Sequence, residues 1–463
     1  MSLPQGFVAA ADAHPHPLQL VGRDSFDAWR QRQAQPLLQW LKAHGFDGAS
    51  GSALVLPGGD GNLASGVLGI GDPLDPWSYA HAPYALPPGD WQVDGDLDID
   101  VRRALQLGWG LGAYRYNRFR DPPRAPARLV LSASGDGMFD EECADVLAAC
   151  LRVRDLVNTP AEQLGPDQLE QIVCEIGERH GAQIEVVSGD DLLTRNFPAI
   201  HAVGRASHRA PRLIALRWGA DSDPHIAIVG KGVCFDTGGL DIKTADGMRN
   251  MKKDMGGAAH AIALAELIMA RKLPVRITLL VPALENAIGP ESYRPGDVVA
   301  TRKGLFVEID HTDAEGRVIL GDALTYAGEQ SPELLLDFAT LTGAARTALG
   351  PDLPALFAND DALAQQWLDA GMRMRDPLWR MPLWRPYLRY LTSNIADLAN
   401  SSATKMAGSI TAALYLECFV PAQQKWAHLD VYSWNDSDRP GRPAGGEAQG
   451  LRAAYAMLKA RCK

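Results

Sequence analysis

The chain has 463 residues, 46% hydrophobic and 22% charged, the balance of an ordinary soluble globular protein long enough for two or three domains. Its 45 basic and 56 acidic residues leave a net charge of -11, which argues against a general surface for nucleic acid or anionic membrane. No apolar stretch is long enough to span a bilayer, and the start lacks the basic and apolar regions of an export signal, so a cytoplasmic location is expected. Up to about residue 150, short strand-like runs such as SALVLP (52–57) and ARLVLSA (127–133) alternate with Gly- and Pro-rich loops. A helical pattern over 140–157 reads as the connector to a larger part. There, strand candidates RLIALRW (212–218), HIAIVG (225–230), VRITLLVPAL (275–284), LFVEI (305–309) and LLLDFATL (334–341) alternate with helical runs at 167–180, 256–272 and 318–330. Alternation of this kind predicts a mostly parallel sheet covered by helices on both faces. The expected fold is α/β in two domains, a small N-terminal α/β domain over 1–150 with an assembly or regulatory role and a larger C-terminal one over 151–463.

Two glycine-rich runs invite a nucleotide-binding reading and do not support it. VGKG (229–232) follows a strand but lacks the spaced glycine and the Lys-Ser/Thr ending that cradle a phosphate and its magnesium. GVLGIGDP (66–73) has no strand, GxGxxG and helix in order, so it reads as a turn. The six cysteines are scattered without a CxxC pair, as reduced thiols are, and Cys234 reads as a small buried apolar residue.

The chemistry concentrates in two blocks. In KGVCFDTGGLDIKTADGMRNMKKDMGGAAH (231–260), Lys231 and Asp236 follow the apolar HIAIVG strand at its carboxyl end, where open α/β sheets place their sites. Gly238 and Gly239 permit a tight turn with the backbone close to a ligand, and Lys243, Met251 and Asp254 come next. In HTDAEGR (311–317), Asp313 and Glu315 stand two apart just beyond a strand. Extended backbone would turn both carboxylates to one side, as paired oxygen donors for divalent cations. Arg317 beside them suits an anion. On composition alone the run also reads as a solvated turn, and Lys231 as a salt-bridge partner of Asp236.

Together with RDLVNTPAEQLGP (154–166), ATLTGA (339–344), AGSITAALYLECFV (407–420) and WAHLDV (426–431), these blocks resemble the leucyl aminopeptidase family of dinuclear metallo-exopeptidases, in the family's order and spacing. Before residue 154 the resemblance is confined to LGAYRYNRFR (111–120). The resemblance implies a dinuclear-metal peptidase domain over 151–463, acting on small peptides with a free amino terminus. Lys231, Asp236, Asp254, Asp313 and Glu315 would hold two divalent ions per chain, manganese or zinc, with Asp236 and Glu315 bridging them. Lys243 would stabilise the oxyanion, and Arg317 would hold a bicarbonate acting as base. Met251, Thr340, Gly343 and Ala407 would wall an apolar pocket for a Leu-like side chain, and the amides and carbonyls of Leu341 to Gly343 would align the peptide. A homohexamer is implied as well. His311 stands where the family usually has Asn, and Thr237 where it has Ser. His311 reads as a hydrogen-bonding spacer or, as the rival, a proton carrier. Alternatives on the same residues are a dipeptidase of the Cys-Gly type and a binding protein with a vestigial site.

Overall fold

The computed structural model describes residues 3–9, 14–59, 61–131 and 140–462. The chain divides into two compact units, Met1–Leu151 with Asn435–Ala444, and Arg152–Trp434 with Gly445–Lys463. The division falls inside the Glu141–Asn158 helix, which matches the helical pattern expected at 140–157. Among the described residues no helix is long and apolar enough to cross a membrane.

The first unit is built on six strands, β1 (Phe7–Val8), β2 (His16–Gly22), β3 (Ala53–Pro57), β4 (Leu63–Ile70), β5 (Asp90–Val93) and β6 (Arg128–Val130), in the order β1-β6-β5-β2-β4-β3. All neighbours run parallel except the β3–β4 pair. The helices Arg23–Arg30 and Gln35–Ala43 close one end through Trp29 and Leu41, which pack with Phe46, Leu56 and Val67. β3 and β6 fall on the two strand runs read from the sequence, although Ser132 and Ala133 of the second lie outside the described residues. The other strands are short or interrupted by Pro or Gly, which weakens the alternating signal of a strand.

The second unit carries β7 (Gln183–Ser188), β8 (Arg212–Trp218), β9 (His225–Gly230), β10 (Gly232–Asp236), β11 (Arg276–Asn286), β12 (Val298–Ala300), β13 (Phe306–Glu308), β14 (Leu334–Ala339), β15 (Ala355–Ala358), β16 (Trp379–Arg380), β17 (Leu398–Ala399) and β18 (Trp426–Asp430). Its main sheet runs β16-β15-β18-β14-β9-β11-β8-β7, parallel through β18, β14, β9 and β11, antiparallel at β15–β18, β11–β8 and β8–β7, and parallel again at the β15–β16 edge. β9 and β14 are buried at every position, as strands covered on both faces must be. One face packs Ala227, Val229, Leu335 and Leu280 against Val318, Ile319 and Ala323 of the Glu315–Glu329 helix. The Gly256–Ala270 helix lies along β9 and β14 and is joined by Pro166–His180 and Leu451–Arg461. One expected member of this sheet is elsewhere. Three residues of LFVEI form β13 of a separate three-stranded sheet, β12-β13-β17, a strand too short for the main sheet's core and with Phe306 exposed.

Candidate active site

The site forms at the carboxyl ends of the central strands. β9 stops at Gly230, and the chain resumes one residue later as β10, which pairs with the far half of β11. Lys231 occupies the break. Its amide donates to the Phe338 carbonyl (3.0 Å), its carbonyl accepts from the Ala258 amide (2.8 Å), and its side chain is left pointing into the site. A side chain at position 316 would collide with it, since a Cβ there would lie 2.6 Å from Lys231 Cε. Gly316 therefore makes room for the lysine.

β10 delivers Asp236, whose Oδ1 accepts from the Gly238 amide and from Asn286 Nδ2, both at 2.8 Å. The turn beyond it needs the left-handed conformations of Gly238 (φ +88°) and Gly239 (φ +64°), and it brings Lys243 back over Asp236. Asp254 comes from the short Met251–Met255 turn of 3-10 helix, where its Oδ1 accepts from the Thr340 hydroxyl (2.9 Å). Asp313 and Glu315 converge on the site, but not through extended backbone. β13 ends at Glu308, a loop covers 309–314, and Glu315 opens a helix, so a turn followed by a helix start aims the two carboxylates together. Asn400 fastens that loop. Its Oδ1 accepts from the Asp310 and His311 amides, and its Nδ2 donates to the His311 carbonyl.

Carboxylate oxygens of Asp236, Asp313 and Glu315 lie within 4.8 Å of one another. Lys231 Nζ stands 2.7 Å from Asp254 and 2.9 Å from Glu315, and donates to the Thr340 carbonyl. Lys243 Nζ stands 2.8 Å from Asp236 and also contacts Asp313. The sequence left open a pairing of Lys231 with Asp236; the lysine pairs instead with Asp254 and Glu315. Four carboxylates thus face two ammonium groups in a buried volume, and Glu315 Oε2 has no hydrogen-bond partner. The excess of negative charge registers in the titration. Burial first, and then Asp236, push the Glu315 carboxyl up to about 8, against the pull of Lys231. Asp313 rises to about 6 for the same two reasons. Asp236 goes the other way, because Lys243 and Lys231 more than offset the effect of its burial. Both lysines are raised, since the carboxylates around them outweigh desolvation. A hard, oxygen-rich donor set with surplus negative charge and an unsatisfied buried oxygen fits divalent cations.

The cluster opens into a cavity of about 670 Å³ whose walls include Met251, Thr340, Leu341, Gly343, His311 and Arg317. Arg317 is 9% exposed and pushed down by burial. Its Nη1 donates to the Asn400 carbonyl (2.9 Å), while its buried Nε finds no partner. His311 is half exposed, and its Nδ1 accepts from the Asp313 amide (3.1 Å), which is the geometry of a spacer.

Three expectations need correction. Ala407 does not line this cavity; it takes a left-handed conformation (φ 57°) at the head of the Gly408–Glu417 helix, and Gly408 and Lys405 face the cavity instead. The amide of Leu341 is not available to align a peptide, because it and the Thr342 amide both donate to Asp430 Oδ1, at 3.0 and 3.2 Å. The cavity is also not apolar: Lys253, Arg346 and Lys405 stand in its wall beside Met251, Leu341 and Val431. Asp430, Asn286 and Asn400 were missed as positioning residues. Only Asp430 left a signal, as the acid ending the apolar WAHLD strand.

Residues 152–455 match the catalytic domain of the cytosol aminopeptidase family, and residues 16–132 match an aminopeptidase N-terminal domain. A probable cytosol aminopeptidase of Roseiflexus castenholzii is 38% identical over 376 residues, which cover 78% of this chain and 76% of the relative. One from Sinorhizobium medicae is 42% identical over 362 residues, covering 73% and 70%. Among solved structures, a cytosol aminopeptidase from Coxiella burnetii superposes with a TM-score of 0.94 at 48% identity, covering 99% of each chain. The bottromycin maturation enzyme BotP in complex with Mn superposes with a TM-score of 0.87 at 32% identity, covering 98% of this chain and all of that one.

Proposed function

The chain belongs to the cytosol aminopeptidase family of metal-dependent hydrolases that cut peptides at the amino terminus, and from that premise we propose the finer chemistry of its site. The observation that carries the proposal is the surplus of buried carboxylate over ammonium, with Glu315 Oε2 unsatisfied. In this reading Lys231, Asp236, Asp254, Asp313 and Glu315 hold two divalent ions per chain, manganese or zinc, because five donors exceed the four of a closed zinc site and carboxylates can bind two ions at once. Lys231 must lose its proton to serve as a ligand, which couples metal uptake to proton release. When bound, the metals supply a water acidic enough to attack an amide near neutral pH.

Lys243 is the oxyanion stabiliser in the proposal. Its ammonium already stands at the rim of the carboxylates, 2.8 Å from Asp236, and stays charged because those carboxylates raise it. Arg317 would hold a bicarbonate, which would supply a base. A guanidinium cannot give up its own proton for that purpose, and a buried Nε without a partner suits a planar anion. Met251, Thr340, Leu341 and Gly343 form the wall against which the stem of a Leu-like first residue would lie. Assembly as a homohexamer, with an assembly or regulatory role for the 1–150 domain, rests on the family resemblance, and a cytoplasmic location on the sequence features given above.

The deciding experiment depletes the protein of metal, then titrates zinc, manganese, cobalt or magnesium while following both bound metal and hydrolysis of an aminoacyl-anilide panel. Activity should vanish on chelation and return as two equivalents per chain bind. Full activity with one equivalent, or activity that survives chelation, would overturn the two-metal reading.

A further inference from the structure

Lys253 lies next in the chain to the ligand Asp254 and two residues from Met251, yet the chemistry above gives it no role. It is only 8% exposed and lines the cavity. Among the described residues its ammonium makes no ion pair; it packs on the Tyr432 ring, 5.1 Å from the centroid. Arg346 packs on the same ring at 4.6 Å and also lines the cavity, with no ion pair among the described residues. The nearest acids are engaged elsewhere. Asp254 is taken by Lys231 and Thr340, and Asp430 by the Leu341 and Thr342 amides and the Thr342 hydroxyl. An aromatic face compensates a desolvated ammonium only in part, so the buried charge lacks an anionic partner that the protein itself does not provide.

We propose that Lys253, with Arg346 beside it across Tyr432, receives a carboxylate of the substrate peptide. The inference rests on the reading that this cavity takes peptides. Two carboxylates of a peptide could reach the pair, the side chain of an acidic first residue and the carboxyl terminus of a very short peptide. Met251, Leu341 and Val431 provide apolar wall for the aliphatic stem of either, and the exposed Lys405 at the same cavity adds positive potential that draws anions in. The consequence is a preference set by charge, added to the contact of an aliphatic stem with the apolar part of the wall. A site built to pair a charged group discriminates against the isostere that lacks it more strongly than an apolar pocket discriminates by size.

The test compares kcat/KM of the metal-loaded enzyme on two matched pairs, Glu-Gly-Gly-amide against Gln-Gly-Gly-amide, and Leu-Gly against Leu-Gly-amide. At least one acid should exceed its amide partner by roughly 10-fold or more, the scale of a charge-assisted hydrogen bond. The first pair reports a side-chain carboxylate and the second a terminal one. In Lys253→Met the favoured ratio should fall close to one, and Lys253→Arg should largely restore it, whatever happens to the absolute rates. Equal rates within both pairs in the parent enzyme, or a ratio that survives Lys253→Met, would overturn the proposal. Failure to cleave any of the four peptides would instead overturn the reading of the cavity itself.

Discussion

Two buried polar clusters of the second unit, one in the middle of strands β14 and β18 and one at the carboxyl ends of β9 and β10, are built on opposite terms. In mid-strand, Asp337 accepts from Trp426 Nε1 (2.7 Å) and pairs with His428 Nδ1 (2.5 Å), one carboxylate against one imidazole. All three are buried in the sheet, and only His428 Nε2 is left without a partner. At the strand ends, four carboxylates meet two ammonium groups, and Glu315 cannot satisfy both of its oxygens. The first cluster is close to neutral and locks neighbouring strands. The second keeps a charge imbalance that no packing argument would choose, since uncompensated buried charge costs several kcal/mol. A protein tolerates such an arrangement when something binds there, at the expense of its own stability.

Breaking the imbalance should have the largest effect. Glu315→Gln is expected to lose metal and at least about 10³-fold in kcat/KM, while the metal-free variant melts at a higher temperature than the metal-free parent. The sign follows from the raised carboxyl. The unfolded chain releases the Glu315 proton near 4.5 and the folded chain holds it to about 8, so the native state binds more protons in that window and loses stability as pH rises through it. Melting curves of both metal-free proteins from pH 5 to 8 should show the slope in the parent and a shallower one in the variant. An equal or lower melting temperature for Glu315→Gln at pH 8 would mean that the cluster is not strained.

Next comes a charge that is placed for turnover and not for holding metal. Lys243→Ala should reduce kcat by about 10²- to 10³-fold, with bound metal unchanged. Metal analysis beside initial rates decides it, and a variant that hydrolyses leucine anilide at the parental rate removes Lys243 from the oxyanion role.

The contrast between the clusters also explains what could be read in advance. Continuous apolar runs such as HIAIVG and LLLDFATL announce strands buried on both faces, because burial leaves a mark at every position. Lys231, Asp236, Asp254, Asp313 and Glu315 were singled out together by the family resemblance of the two blocks, since composition alone also allowed a solvated turn and a plain salt bridge. Backbone conformation was less legible. Asp313 and Glu315 meet through a turn and a helix start, which two acids at positions i and i+2 do not disclose. Asn286 and Asn400 were invisible because their work is to bond Asp236 and the 310–314 loop across long stretches of chain. Nothing in KKDM marks Lys253 out until the fold buries it.

Breaking the neutral cluster should affect stability instead of turnover. Asp337→Asn is expected to cost roughly 3 kcal/mol in urea denaturation, the scale for removing one partner of a buried pair. Burial alone would lower the His428 imidazole, but Asp337 raises it overall. The contribution of the pair is therefore fully present below the unfolded value near 6.5 and is lost as pH climbs through the raised folded value. The gap between parent and variant should narrow from pH 6.5 to 9. A gap that is constant over that range would show that His428 is uncharged throughout.

The smallest effect should come from His311, and it separates two routes for the proton. Arg317→Ala should abolish stimulation of the enzyme by added bicarbonate, because the buried guanidinium is the group suited to hold that anion. His311→Asn should leave rate and bicarbonate response within about 2-fold, below the 10²-fold or more that general-base catalysis contributes. The geometry supports that expectation: His311 Nδ1 accepts the Asp313 amide hydrogen, and an asparagine oxygen can accept the same hydrogen while the Asn400 bonds to the backbone at 311 are untouched. The exposed imidazole could nonetheless serve as a base by itself near neutral pH. Initial rates of both variants across pH, with and without bicarbonate, distinguish the two routes. A steep loss in His311→Asn, together with an Arg317→Ala enzyme that still responds to bicarbonate, would place proton transfer on His311.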